Sequence, residues 1–449
     1  MTSSQRPRWS SSVGFVLAAA GSAVGLGNIW KFPYISGVNG GGAFVFIYLF
    51  CISLVGIPVL LSELYIGKKG QSNTVASYEK VYKKGTFWKL SGVLGLISAF
   101  VILSFYSVVG GWILDFEYRS IINEFGGQSD DSIRGILTDL FQSPVRQVVL
   151  HFIFALLTVA IVLGGVKKGI ERLNKILMPG LVMILIGLLI YSAFLPGFGQ
   201  AFEFLFKPDF SKITGAGILE AVGHSFFTMS VGVGVMITYG SYLPAKENLP
   251  KMGFSLALID TVLALSAGLV IFSAVFSYGI EPGAGPTLIF QTLPVLFSKM
   301  PGGYFVALAF FSLVAFTALT SSISILEVVV AYCVETFALN RKVVTILVGV
   351  AVFLVGILSA LSTSVLSGFT VMGLTFFDFF DKLTSSLFLP LSGLMTALFV
   401  GWVLGPSVVK KITEKTGFDA YEKILLLCLR FVVPVSIGII LVQGLDWIK

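Results

Sequence analysis

Asp260 stands in the apolar run Leu258-Ile259-Asp260-Thr261-Val262, with no basic neighbour in sequence. A lone carboxylate in such surroundings is expensive and is kept only where something meets it. A structural hydrogen-bond anchor is one answer, and a bound cation is the other. A second stretch, Thr317-Ala318-Leu319-Thr320-Ser321-Ser322, carries four hydroxyls. Such hydroxyls either bond the carbonyl one turn back or offer the oxygen ligands a hard cation prefers. A third stretch, Gly21-Ser22-Ala23-Val24-Gly25-Leu26-Gly27-Asn28-Ile29-Trp30-Lys31-Phe32-Pro33-Tyr34, brings the backbone itself into play. Its glycines and proline weaken a helix in the middle of an apolar segment. Broken backbone at membrane depth is tolerated only where it faces protein or a wet cavity. No nucleophile–base pair, metal-ligand spacing or phosphate loop appears at membrane depth, which argues against an enzyme. Cys51, Cys333 and Cys428 lie in apolar runs and read as packing residues.

The elements that must position these groups are membrane spans. Of 449 residues, 56% are hydrophobic and 12% charged, against about 25% charged in a soluble domain. The chain reads as an all-α polytopic membrane protein with eleven spans, near 13–37, 41–67, 87–121, 147–164, 170–195, 214–243, 252–280, 303–337, 343–361, 367–404 and 422–446. The first is too long and too punctuated for a cleavable signal peptide. The net charge of +7 sits in loops and therefore sets orientation rather than inviting nucleic acid. With the N-terminus cytoplasmic, 20 Lys and Arg fall on inner loops and 7 on outer ones. That bias predicts the N-terminus inside and the C-terminus outside.

An internal repeat organises the spans. Ser22-Ala23-Val24-Gly25-Leu26-Gly27 in span 1 is echoed by Met229-Ser230-Val231-Gly232-Val233-Gly234 in span 6. Each opens a block of five spans, 13–195 and 214–404, and an odd number inverts the second block. The expectation is an inverted five-plus-five repeat with discontinuous helices 1 and 6, and an additional helix at 422–446. Paired interrupted helices in inverted halves point to a transport site at the midplane. The other ionisable residues in the spans also require an account. Lys31 and Asp378 read as an ion pair, either structural or a moving gate, with Asp381 and Lys382 beside it. Glu63 closes span 2 near the cytoplasmic face, and Glu327 and Glu335 lie in span 8. Arg430 reads as structural, His151 as interfacial, and His224 as locally hydrogen-bonded near the span 6 break. Pro179-Gly180 in span 5 reads equally as a hinge or a plain kink.

Taken together, these residues resemble the neurotransmitter:sodium symporter family, in particular its bacterial amino-acid transporters. The carriers of the resemblance are the run from Gly21 to Tyr34, Asn39-Gly-Gly-Gly-Ala-Phe44, Phe226-Phe-Thr-Met-Ser-Val-Gly-Val-Gly234, Gly285-Pro-Thr-Leu288 and Leu319-Thr-Ser-Ser322. The similarity covers nearly the whole chain as one transporter domain, 1–449. It implies two sodium ions and no organic cofactor. The first ion would take the Ala23 carbonyl, the Asn28 side chain, Thr228 through carbonyl and hydroxyl, and the Asp260 side chain, completed by the substrate carboxylate. The second would take the carbonyls of Gly21, Val24 and Thr317 and the hydroxyls of Thr320 and Ser321. Asp260 stands where relatives often carry an amide, and Ala264 stands where they carry a glutamate or a serine. A fixed carboxylate supplies the charge that chloride otherwise brings, so no chloride requirement is expected.

The resemblance also places a substrate. The amides of Leu26 and Gly27, the first sodium and the Tyr106 hydroxyl would receive a carboxylate. Gly25 stands where amine transporters carry an aspartate, which favours an amino acid. Its side chain would meet Ile102, Phe227, Val233, Ser324 and Ile325, with Ser22, Ser230 and Ser321 nearby. Val233 replaces the phenylalanine of leucine-selective relatives and leaves room for larger side chains. Tyr106 and Phe227 would form a thin lid, with Lys31–Asp378 outside it. Arg6, Glu335, Ser241 and Tyr242 would form an inner gate, with Trp9 anchoring the N-terminal segment. The expected function is sodium-coupled symport of hydrophobic, aliphatic and aromatic L-amino acids by alternating access. The expected location is a bacterial plasma membrane, with the lipid bilayer, sodium and the amino acid as partners and no nucleic acid or obligate protein partner. A proton-coupled amino-acid carrier and a non-transporting sensor stay open as rivals at this point.

Overall fold

The computed structural model describes residues 7–244, 246–280, 288–415 and 418–444. Arg6, the Gly285–Thr287 part of the fourth motif, and the last residues of span 11 lie outside the described residues. Among those described, nine helices are long and apolar enough to cross a membrane. A tenth span is the pair Ser12–Ala23 and Gly27–Val38, bent by 48° across its break. Span 6 is the pair Gly215–Thr228 and Val235–Gly240. The two broken spans and the nine long helices are consistent with eleven crossings.

Which helices sit at the centre follows from residue size. The first half of span 1 runs Ala18-Ala19-Ala20-Gly21, all buried, so neighbouring helices approach its backbone closely. Span 3, Lys89–Ile121, turns its small residues Ser91, Gly92, Gly95, Ser98 and Ala99 inward. A methyl group at Gly95 would lie 3.2 Å from the backbone of Gly232 and Gly234, so span 3 packs directly on the span 6 break. Span 8, Gly303–Phe337, has 83% of its most apolar window buried, against 28% for span 11, Asp419–Gly444. Spans 1, 3, 6 and 8 thus meet at the centre, and spans 2 and 7 are as buried as span 3. Spans 4, 5, 9 and 11 leave large apolar side chains exposed, including Phe152, Met183, Leu354 and Val435. Lipid is the solvent that tolerates such a face.

One expectation about these elements changes, and two gain detail. Span 10 begins at Phe376, not 367, because residues 361–375 form turns that contain Gly368 and Gly373. Span 5, where Pro179-Gly180 reads equally as a hinge or a kink, is a continuous helix through Pro179, Arg172–Ala193, preceded by the π-segment Val166–Glu171. His151, expected near the interface, is fully buried in protein, with Nε2 3.1 Å from the Phe353 carbonyl oxygen and its ring stacked on Phe353. Arg430 is structural, as expected: Nε donates to the Gly401 carbonyl at 2.9 Å and the guanidinium lies over the Trp402 ring.

Candidate functional site

The two breaks face each other and are tied by short polar contacts. In span 1 the helix stops at Ala23, Val24 leaves helical geometry with ψ 86°, and the helix resumes at Gly27. Leu26 and Gly27 open the new segment, so their N–H groups lack an intrahelical acceptor. In span 6, Ser230, Gly232 and Gly234 take φ of 51°, 82° and 81°. Gly232 is required twice: its φ disfavours a side chain, and a Cβ would lie 2.7 Å from the Leu389 carbonyl oxygen. The Ser230 hydroxyl donates to the Ser22 carbonyl at 2.9 Å, and the Ser324 hydroxyl to the Ser22 hydroxyl at 2.7 Å. Glu63 belongs here too, not at the cytoplasmic edge. It is buried, and its Oε1 accepts the Gly232 N–H at 2.7 Å. Nothing in its own surroundings names an N–H that far along the chain.

Between the breaks lies a small cavity with about 50 Å³ of free volume, room for a few water molecules. Ser22, Ala23, Gly25, Leu26, Gly27, Ile102, Tyr106, Phe227, Thr228, Ser230, Val233, Ser321 and Ile325 line it. Ser324 stands just behind, bonded to Ser22. Val235 and Leu389 complete the wall. Sequence reasoning missed both, and only the closeness of Leu389 to Gly232 brings span 10 into the site. No charged side chain lines the cavity. The Tyr106 hydroxyl is buried with no hydrogen-bond partner among the described residues. A buried donor left free in this way is ready for an acceptor from a guest.

Asn28, Thr228 and Asp260 meet at one edge of this cavity. Asp260 is fully buried. Its Oδ1 accepts from Asn28 Nδ2 at 2.7 Å and from the Thr228 hydroxyl at 2.8 Å, and its Oδ2 accepts from the Tyr48 hydroxyl at 3.4 Å. The donor set is oxygen-rich and carries one formal negative charge, which suits a hard monovalent cation. Asn28 turns its NH2 toward Asp260, while its oxygen accepts the Gly25 N–H at 3.2 Å and keeps a second lone pair for an ion. Gly21, Thr320 and Ser321 also converge. The Ser321 hydroxyl points at the Gly21 carbonyl at 3.5 Å, and a Cβ on Gly21 would lie 3.2 Å from Thr320 Cβ. Thr320 Oγ1 donates toward the Phe316 and Thr317 carbonyls at 3.0 and 3.1 Å. Val24 is buried at the helix end.

A second, larger chamber of about 560 Å³ opens on the Lys31 end of span 1. Phe227 and Leu389 line both chamber and cavity, so these two side chains form the wall between them. Lys31 Nζ lies 4.8 Å from the centre of the Phe227 ring. Lys31 and Asp378 are not brought together. Asp378 is exposed and sits in a capping turn, where Thr375 Oγ1 accepts its N–H at 3.2 Å and donates to its Oδ2 at 2.7 Å. Asp381, one turn further in, lines the chamber with Lys31, Glu220 and His224. His224 is not locally hydrogen-bonded as expected: neither ring nitrogen has a partner among the described residues, and the ring packs on Phe32 and Tyr48.

The opposite end is sealed in depth. Trp9 Nε1 donates to the Tyr239 carbonyl at 3.0 Å, and its ring meets Phe15, Tyr239 and Tyr242 edge-on. Ser10 N–H donates to Glu171 at 2.9 Å, and the Ser12 hydroxyl reaches both Glu247 oxygens at 2.9 Å. Buried Glu327 accepts from the Tyr242 hydroxyl at 2.7 Å and from both terminal nitrogens of Arg341. Glu335 accepts from the Asn73 N–H at 2.7 Å and from the Ser72 hydroxyl at 3.2 Å. Ser241 is buried beside Tyr242.

Two helices broken at mid-depth, a small cavity between them and a seal of unequal thickness at either end describe a membrane carrier. The family model "Sodium:neurotransmitter symporter family" matches residues 6–129 and 140–448. The sodium-dependent transporter YhdH of Bacillus subtilis is 39% identical over 441 residues, covering 98% of each chain. A sodium-dependent transporter of Haemophilus influenzae is 36% identical, also over 98% of each. The crystal structure of MhsT in complex with L-phenylalanine superposes with a TM-score of 0.90 at 43% identity, covering 98% of this chain and 100% of that one. The chain belongs to the sodium:neurotransmitter symporter family. It is a sodium-dependent membrane transporter of small molecules, not an enzyme.

Proposed function

We propose that the chain imports hydrophobic L-amino acids, aliphatic and aromatic, with two sodium ions, across a bacterial plasma membrane. The observation that carries this reading is the cavity wall. It is apolar at Ile102, Phe227, Val233, Val235, Ile325 and Leu389, with a free tyrosine hydroxyl and the opening amides of a helix at one end. A zwitterion's carboxylate suits those donors, and a charged side chain would be desolvated there without a partner. MhsT, solved with L-phenylalanine, supports the class of guest. The substrate carboxylate completes the first sodium site at Ala23, Asn28, Thr228 and Asp260, so each binds better with the other present. The second ion sits at Gly21, Val24, Thr317, Thr320 and Ser321. Each entering sodium contributes about 2.3 kcal/mol per 100 mV, and each tenfold accumulation costs about 1.4 kcal/mol. Repeats 13–195 and 214–404 rock against one another around the site, 422–446 flanks them, and the Trp9 end faces the cytoplasm.

The test is uptake of labelled leucine and tryptophan into proteoliposomes under an inward sodium gradient, with potassium as control. Sodium-dependent accumulation of both is the expected result. Uptake that persists in potassium and follows a proton gradient overturns the reading. Val233→Phe narrows the wall, and tryptophan uptake falls about tenfold relative to leucine, the scale on which apolar pockets discriminate. Equal loss for both amino acids refutes the role of Val233. Chloride gives a separate check. With Asp260 and Ala264 in place, exchanging chloride for gluconate leaves uptake unchanged, and Asp260→Asn makes uptake chloride-stimulated. Chloride-dependent uptake by the unaltered protein refutes this part.

A further inference from the structure

Asn174 lies in span 5 and is fully buried. Its Nδ2 donates to the Ile170 carbonyl at 2.9 Å. That bond fixes the orientation, because the opposite flip would set two oxygens against each other. Its Oδ1 has no hydrogen-bond partner among the described residues. The oxygen points at span 1: a Cβ on Gly21 would lie 2.2 Å from it and 3.2 Å from Thr320 Cβ. The missing side chain at Gly21 is what lets the amide oxygen approach.

The donors around it are already committed. Thr320 Oγ1 donates toward Phe316 and Thr317, and Thr317 Oγ1 toward Val314 and Leu313. Ser321 Oγ points at the Gly21 and Ser22 carbonyls. Lys175, the neighbouring cation in sequence, pairs with Glu171 at 2.7 Å and contacts Ser10 at 3.0 Å. The cluster therefore holds more oxygen acceptors than protons to satisfy them. A buried acceptor without a donor is costly, and a hard cation removes that cost.

We propose that Asn174 Oδ1 is a further oxygen donor to the inner sodium ion, contributed from span 5 to the set on spans 1 and 8. The proposal rests on the reading that Gly21, Val24, Thr317, Thr320 and Ser321 hold that ion. It makes the grip on sodium depend on where span 5 stands, and span 5 is the helix that Glu171 ties to the N-terminal segment through Ser10.

The test uses the full-length purified protein without amino acid, titrated with NaCl against KCl at constant ionic strength. Asn174→Leu keeps the volume and removes the oxygen. Its half-saturating sodium concentration, read from the melting temperature, rises about tenfold or more, the scale of losing one member of a metal's ligand shell. Its melting temperature in KCl stays at or above the unaltered protein's, because an unpaired acceptor has gone. A merely structural asparagine, or one met only by water, gives a fall in KCl with unchanged sodium dependence, and that result overturns the proposal. Asn174→Asp, a variant that keeps the oxygen, tightens sodium binding and serves if the leucine variant does not fold; unchanged or weaker sodium binding in it overturns the proposal. Thr320→Ala separates the underlying reading. Weakened sodium binding in Thr320→Ala but not in Asn174→Leu removes Asn174 alone, whereas no effect in either removes the inner site as drawn.

Discussion

Asp260→Ala abolishes sodium-dependent uptake, with a fall of roughly a hundredfold or more. The carboxylate is fully buried and accepts from Asn28, Thr228 and Tyr48, which come from three different spans. Removing it takes away the formal negative charge at the edge of the cavity and leaves the Thr228 and Tyr48 hydroxyls without an acceptor. A hydrogen bond to a charged group contributes about 1.5–3 kcal/mol, and loss of the charge that faces the cation adds to that. The measurement is the sodium activation curve of uptake in proteoliposomes, at matched protein content. A variant that keeps half the normal rate at the normal half-saturating sodium would sink the assignment.

Arg341→Ala lowers stability by about 3–5 kcal/mol, the usual consequence of stranding one buried charge. Glu327 is fully buried, and it relies on Arg341 and the Tyr242 hydroxyl. The loss is expected as a fall of about 6 °C or more in the melting temperature of the purified protein. Adding Glu327→Gln to the same chain removes the stranded charge and restores most of the difference. The double variant is therefore more stable than Arg341→Ala alone, a coupling that independent sites do not show. Equal melting temperatures for the single and double variants would mean the pair is not what holds this end together.

The parts of the site that were legible in the sequence are those whose chemistry is anomalous where they stand. Asp260 announces itself as a carboxylate among leucines and valines. The breaks announce themselves as glycines where a helix should be smooth. The internal repeat paired those breaks, and the family resemblance then supplied the cavity wall. What was not legible depends on depth and on distant partners. Asp378 and Asp381 share a helix face, and only the start of span 10 at Phe376 tells which of them reaches the chamber. Glu63 and Leu389 enter through contacts with Gly232, far from either in sequence. His224 looks like a hydrogen-bonding residue by type, yet its ring packs between Phe32 and Tyr48. The start of span 10 was misplaced because residues 367–375 are apolar enough to pass for helix while Gly368 and Gly373 turn the chain.

The wall of Phe227 and Leu389 on one side and the stack from Trp9 to Arg341 on the other set unequal waiting times. Two side chains swing aside by rotamer changes, on the scale of nanoseconds. The deeper seal yields only when a helix end, an aromatic cluster and a buried ion pair let go together, which belongs to microseconds or longer. On the alternating-access cycle proposed above, the thin wall therefore opens many times for each opening of the thick side. Swapping a labelled guest for an unlabelled one across the thin wall is then expected to outpace turnover, which follows how often the thick side breaks.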